Sequence, residues 1–136
     1  MTSLIPELQQ AVANYALALD EFNLPGLEAL LTQDTTWTFT MPEKGMLGPV
    51  TGRQAVLDSV RAGYAAQSGR VRHHLVNIVV KAADADTALV QAYLMQTRNT
   101  GEALELTSTG TYTFGLRQVD GAWRIAELAL ALDNAP

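Results

Sequence analysis

At the amino-terminal end of the chain the apolar residues recur at alternating spacings of three and four. Ile5, Leu8, Val12, Tyr15, Leu19 and Phe22 fall on one stripe, and Glu7, Gln9, Gln10 and Asn14 lie on the other side. That period predicts an amphipathic helix. Asn23 and Pro25 punctuate the chain before GLEALL at 26–31, which reads as a brief second helix. From Asp34 the period drops to two. Trp37, Phe39 and Met41 alternate with Thr36, Thr38 and Thr40, the pattern of a half-buried strand. The Gly- and Pro-rich segment 42–52 reads as a loop. Thr51 and Gln54 form a capping box for a third helix that carries Val56, Leu57, Val60 and Tyr64 and runs to about Gln67.

After Ser68 and Gly69 no helical stripe follows. Residues 70–82, 87–98, 104–118 and 122–132 read as four long strands, separated by short segments with the Asp and Gly content of hairpin loops. AELALAL at 126–132, read here as part of the last strand, could instead be helical by propensity. The order helix, helix, strand, helix, four strands predicts an α+β fold, with three helices gathered on one face of a mainly antiparallel sheet. Residues 1–136 read as one domain without repeats, low-complexity tracts or linkers.

Composition narrows the class of function. Of the 136 residues, 48% are hydrophobic and 17% charged, which predicts a packed core in place of a disordered chain. A net charge of -5 with nine scattered Lys and Arg residues argues against a nucleic-acid partner and against anionic membrane surfaces. No apolar run reaches the roughly 20 residues of a membrane span, and MTSLIPELQQ lacks the pattern of a signal peptide, so a cytoplasmic location is expected. Without cysteine there is no disulfide, thiolate metal site or thiol nucleophile. The glycines of GMLGPVTG lack the spacing of a phosphate or dinucleotide loop, and no nucleophile elbow is present, so no nucleotide cofactor is expected.

Several short features occur in a telling order: Tyr15 and Asp20 in YALALDEFNLPGLEALL, Asp34 opening DTTWTF, Gly52 in TGRQAV and His74 in HHLVNIVV. Ala88 in ADTALVQAY, Gly110 and Tyr112 in GTYTF, and DGAWRI at 120–125 complete the set. Over nearly its whole length the chain resembles the SnoaL-like branch of the nuclear-transport-factor-two (NTF2) superfamily. The resemblance implies a cone-shaped α+β barrel, in which a curved sheet wraps the long first helix around a pocket for a small hydrophobic, aromatic or polycyclic ligand. The sheet's outer face would then serve as the contact of a homo-oligomer, a dimer foremost. The superfamily spans dehydratases, ketosteroid isomerases, epoxide hydrolases, polyketide cyclases, dioxygenase small subunits and members that only bind. Tyr15 resembles the helix-one tyrosine of ketosteroid isomerases, but Phe39 stands where those enzymes carry a base and Gly110 or Thr111 where they carry a second acid. The dehydratases are more similar. Their tyrosine, aspartate and strand histidine resemble Tyr15, Asp20 and His74, although no acid stands at Gln96 or Thr97, where a further carboxylate would fall.

The candidate chemistry follows from these residue types. An imidazole can both take and return a proton at neutral pH. His74 shares its strand parity with Val76, Ile78 and Val80 and is the expected general acid/base, whereas His73 is expected on the outer surface or at a subunit contact. Adjacent strand histidines point to opposite faces and cannot chelate one metal, so no metal site is expected. Tyr15 would donate a hydrogen bond to a substrate oxygen, with a backbone or water partner as the plainer alternative. Asp20 would orient the imidazole or simply cap the helix end. Trp37, Phe39, Tyr64, Tyr112 and Phe114 are the expected ligand wall, most aromatic residues at strand spacing being ordinary core. Glu127 has the inward parity of Trp123 and Ile125 unless a bulge intervenes. Arg72, Arg98 and Arg124 read as solvated or interface charges. The expected function is cofactor-independent dehydratase, isomerase or cyclase chemistry of the lyase/isomerase type. The alternatives are a non-catalytic binder or accessory subunit, and an epoxide hydrolase using Asp20, Glu127 and His74.

Overall fold

A computed structural model describes residues 4–135, so the first three residues of the amino-terminal stretch read above lie outside it. The elements are α1 (Ile5–Asp20), α2 (Leu24–Ala29), β1 (Leu31–Met41), β2 (Gly45–Thr51), α3 (Arg53–Ala66), β3 (Arg70–Ala83), β4 (Thr87–Asn99), β5 (Leu104–Val119) and β6 (Ala122–Leu132). The strands form one curved, unclosed sheet in the order β2-β1-β6-β5-β4-β3. Neighbours are antiparallel except β1 and β6, which run parallel. This is the expected α+β architecture, with one strand more than the sequence pattern predicts.

The apolar stripe of α1 is what seats the helix in the sheet's concave face. Leu8, Val12 and Tyr15 are fully buried, and Ala11, Ala16 and Ala18 let the backbone approach closely. Under them lie Val90, Ala92 and Leu94 of β4, Tyr112, Phe114 and Leu116 of β5, and Ile125 and Leu128 of β6. Among the described residues no helix is long and apolar enough to cross a membrane.

Local chemistry moves several boundaries. The extra strand β2 occupies the expected loop; nearly all of it is exposed at the sheet edge, so no buried alternation marks it, and Pro49 costs no sheet bond there. The second helix begins two residues early because the Asn23 side chain accepts from Gly26 N–H at 3.0 Å and Pro25 suits the first turn. The expected capping box is absent. Thr51 is still paired with Thr36 across the sheet, Gly52 takes the cap position, and Gln54 donates to Asp58 at 2.9 Å.

Two bulges decide which side chains face inward. On β3, Val76 pairs with Tyr93 but Val79 pairs with Gln91, so two residues of β3 oppose Ala92 alone. Asn77 absorbs the extra residue in a left-handed conformation, φ 52°. The inward set is therefore Val71, His73 and Leu75 before the bulge and Ile78 and Val80 after it. On β6, Glu127 pairs with Gly115 and Ile125 with Leu116, leaving Ala126 as the extra residue. Trp123 and Ile125 face inward before this bulge, and Leu128 and Leu130 after it.

The opposite face of β3, β4 and β5 carries exposed Val76, Val79, Leu89, Tyr93, Met95, Leu104 and Leu106. Asn77 is the most informative fold position to alter. Asn77→Val should cost about 1–2 kcal/mol, because a β-branched residue resists positive φ, whereas Asn77→Gly should be near neutral. Urea denaturation midpoints of the two variants check this; equal midpoints would contradict the bulge.

Candidate functional site

Between α1, α3 and the sheet lies a cavity of about 460 Å3. Its apolar wall includes Leu19, Trp37, Phe39, Val60, Tyr64, Leu130 and Leu132, and its polar side includes His73, Gln96, Arg98, Ser59, Gln67 and Ser68. Tyr15 and Tyr112 also reach it. Hydrophobic walls with a few convergent polar groups are the usual make-up of a small-molecule site.

Asp20 is the last residue of α1, and its carboxylate holds His73 twice. The His73 backbone N–H donates to both carboxylate oxygens at 3.0 Å, and ring Nδ1 lies 2.7 Å from Oδ1. A carboxylate accepts, so Nδ1 carries the proton of this bond when the ring is neutral. Nε2 is left as the ring nitrogen without a protein partner among the described residues. Asp20 and His73 side chains retain only 10% and 20% exposure, which shields the pair from competing water. The neighbouring Glu21 pairs with Arg70 at 3.1 Å and with Arg72 at 3.9 Å, stitching the same helix end to β3.

The expectation for His74 is corrected. His74 is exposed on the outer face, where Nε2 lies 3.0 Å from Thr97 Oγ1. Parity carried back from Ile78 and Val80 across Asn77 assigns the two histidines to the wrong faces. Glu127 is corrected for the same kind of reason: the bulge at Ala126 turns it to the exposed face beside Gly115, away from the cavity. Phe114 is fully buried but does not line the cavity; it lies behind Tyr112, stacked at 5.1 Å. Trp37, Phe39, Tyr64 and Tyr112 line it. Tyr64 also stacks on Phe22 at 4.0 Å, tying α3 to the end of α1. Gln96 and Arg98 were overlooked as lining residues. The signal for them is the buried alternation Ala88, Val90, Ala92, Leu94, which continues in step to both; Arg98 also pairs with Glu105 at 3.5 Å.

Tyr15 and Tyr112 form a second polar unit. Their hydroxyl oxygens are 2.9 Å apart, and either can be the donor. The Tyr15 ring meets Trp37, Tyr112 and Phe114 edge-on at 5.4–5.7 Å. Burial pushes the Tyr15 phenol well above its ordinary value of 10.0, with Tyr112 and Asp20 adding to the rise. Burial likewise raises Tyr112, against a lowering by its bond to Tyr15. Both phenols are therefore neutral hydrogen-bonding groups and not bases. The Trp37 indole N–H is buried without a partner among the described residues. Among those residues no three His, Asp or Glu side chains converge as a metal site.

The sequence matches the SnoaL-like domain model over residues 2–129. The chain belongs to the SnoaL-like domain family. No curated protein matches the sequence. Among solved structures, this SnoaL-like chain is similar to a protein of unknown function with a cystatin-like fold from Nostoc punctiforme PCC 73102. That match has TM-score 0.81 and 18% identity over 98% of this chain and 94% of the other. It is also similar to a candidate scytalone dehydratase from Novosphingobium aromaticivorans DSM 12444, at TM-score 0.76 and 20% identity over 94% and 83% of the two chains. The β subunit of a candidate aromatic-ring-hydroxylating dioxygenase from the same organism matches at TM-score 0.79 and 16% identity over 96% and 90%. At these identities the similarity establishes the cystatin-like, NTF2-like fold. Family and cavity together support a small-molecule-binding NTF2-like protein.

The buried phenol pair makes a prediction about alkaline stability. Above pH 10 the unfolded chain releases protons that the native Tyr15 and Tyr112 retain, so stability should fall as pH rises from there and be fully expressed below. A Tyr15→Phe, Tyr112→Phe double variant should show a shallower alkaline loss. Phenolate absorbance followed alongside circular dichroism checks this; ionisation of both phenols in the folded protein near pH 10 would contradict it.

Proposed function

We propose that this SnoaL-like protein is a cofactor-independent acid/base enzyme, a dehydratase foremost, acting on a small ring-containing ligand with both a carbonyl and a hydroxyl group. The observation that carries this reading is the fixed Asp20–His73 pair at a cavity that Tyr15 and Tyr112 also line. His73 takes the role first expected of His74. With Nδ1 committed to Asp20, Nε2 removes a proton next to the substrate carbonyl, and the phenol pair donates a hydrogen bond to the oxygen on which charge develops. The same imidazole, now protonated and stabilised by Asp20, returns its proton to the departing hydroxyl, which leaves as water. Asp20 is a positioning residue in this scheme, and the aromatic wall holds the ring of the substrate.

A screen of cyclic β-hydroxy ketones, read by the absorbance of the conjugated product, tests the reaction. On a turned-over substrate His73→Gln should lower kcat by about 10² to 10⁴ while the fold is kept, and His74→Gln should change it by less than about threefold. Asp20→Asn should lower kcat more than it raises KM. Full activity in a folded His73→Gln protein would remove the catalytic assignment.

One observation favours the binding-only alternative: among the described residues no Asp or Glu directly lines the cavity to share the acid/base work. Native mass spectrometry of the purified protein distinguishes it, since a ligand recovered unchanged after long incubation supports a binder. The epoxide-hydrolase alternative loses two of its three groups, because Glu127 and His74 face outward. The exposed apolar face of β3 to β5 supports a homodimer through that face, since contiguous apolar patches mark interaction sites. Tyr93→Glu with Met95→Glu should then shift the protein to monomer in light scattering.

A further inference from the structure

At the other end of the sheet's central strands lies a second concavity, of about 600 Å3, that the catalytic reading does not use. It is formed by Leu31, Thr32, Gln33 and Asp34 at the start of β1, by Arg53 at the start of α3, and by Arg117, Val119, Asp120 and Arg124 around the β5–β6 turn. Three of the chain's nine Lys and Arg residues meet here, in a protein whose net charge is -5. Asp34 and Asp120 share the cleft, and the pairing within it is incomplete.

Arg117 is committed, its Nη2 donating to Asp34 at 2.7 Å. Arg53 and Arg124 have no carboxylate partner among the described residues. Arg124 donates through Nη1 to the Leu31 carbonyl at 3.5 Å, and its Nε is buried without a hydrogen-bond partner. That Nε is out of reach from the cleft, so the remaining guanidinium N–H groups of Arg124 and those of Arg53 are the donors an arriving acceptor would meet. Guanidinium groups present planar, fixed donors that match carboxylate and phosphate oxygens. Asp120, at the turn, is the one acidic lining residue without an ion pair and opposes an anion.

We propose that this cleft binds a small oxyanion, a phosphate or carboxylate group, between Arg53 and Arg124. The site is separate from the His73 cavity and does not depend on the reaction proposed there. Asp120 limits its affinity, and Arg117 is held back from the ligand by Asp34.

Isothermal titration of the full chain with inorganic phosphate, and separately with succinate, at constant ionic strength tests the proposal and tells the two sources of oxyanion apart. Saturable binding of at least one is expected. Arg53→Gln and Arg124→Gln should each weaken it at least tenfold, and Asp120→Asn should tighten it several-fold. Should Arg124→Gln fail to fold, Arg53→Gln and Asp120→Asn still give shifts of opposite sign. Absence of saturable binding for both anions would overturn the site, as would saturable binding that neither Arg53→Gln nor Asp120→Asn changes. His73→Gln should leave the anion titration unaltered, so failure of the catalytic reading would not be mistaken for failure of this one.

Discussion

A carboxylate at the C-terminal end of an α-helix faces the negative end of the backbone dipole, a position that favours cations. Asp20 occupies it because β3 supplies what the helix end does not: a backbone N–H and a ring nitrogen, both from His73. The bond does two things at once. It docks the end of α1 onto β3, and it fixes the tautomer of the one imidazole that faces the cavity. The neighbouring Glu21–Arg70 pair reinforces the docking from the solvent side, where screening makes it the weaker contribution. Local helix preference gives way here to a tertiary contact, as is common where structure serves a site.

The other half of the cavity has a different origin. Tyr15 is fully buried on the apolar stripe of α1, and its ring is held by edge-on contacts to Trp37, Tyr112 and Phe114. The aromatic cluster is both core and wall: Phe114 supports Tyr112 from behind, and Tyr112 presents its hydroxyl to Tyr15. Substituting any member therefore changes packing and cavity together. His73 and Gln96 face each other across β3 and β4. Each polar unit joins the first helix to the sheet, Asp20 to His73 and Tyr15 to Tyr112.

The fold was legible in the sequence because its signals are periodic. The 3.6-residue stripe of α1 and the alternation in β4 and β5 both survive in the burial pattern. Edge strand β2 escaped because an exposed strand has no buried alternation to read. The candidate site is legible by residue type but not by face. Residue type singles out Tyr15, Asp20 and a strand histidine as candidates, yet parity counted through Asn77 and Ala126 exchanges His73 with His74 and places Glu127 inward, where the structure has it outward. A bulge inserts one residue without changing composition, so a period-two count has no means of detecting it. Asn77 was the available hint, since asparagine tolerates positive φ better than most residues.

The contact between Tyr15 and Tyr112 has two equivalent polarities. If Tyr15 donates the hydrogen bond to Tyr112, the Tyr112 hydrogen is free and Tyr15 offers a lone pair; if the roles reverse, so do the offers. Rotation about two C–O bonds exchanges the arrangements without moving a ring. Turning two hydrogens in place thus moves the pair's spare donor from one ring to the other.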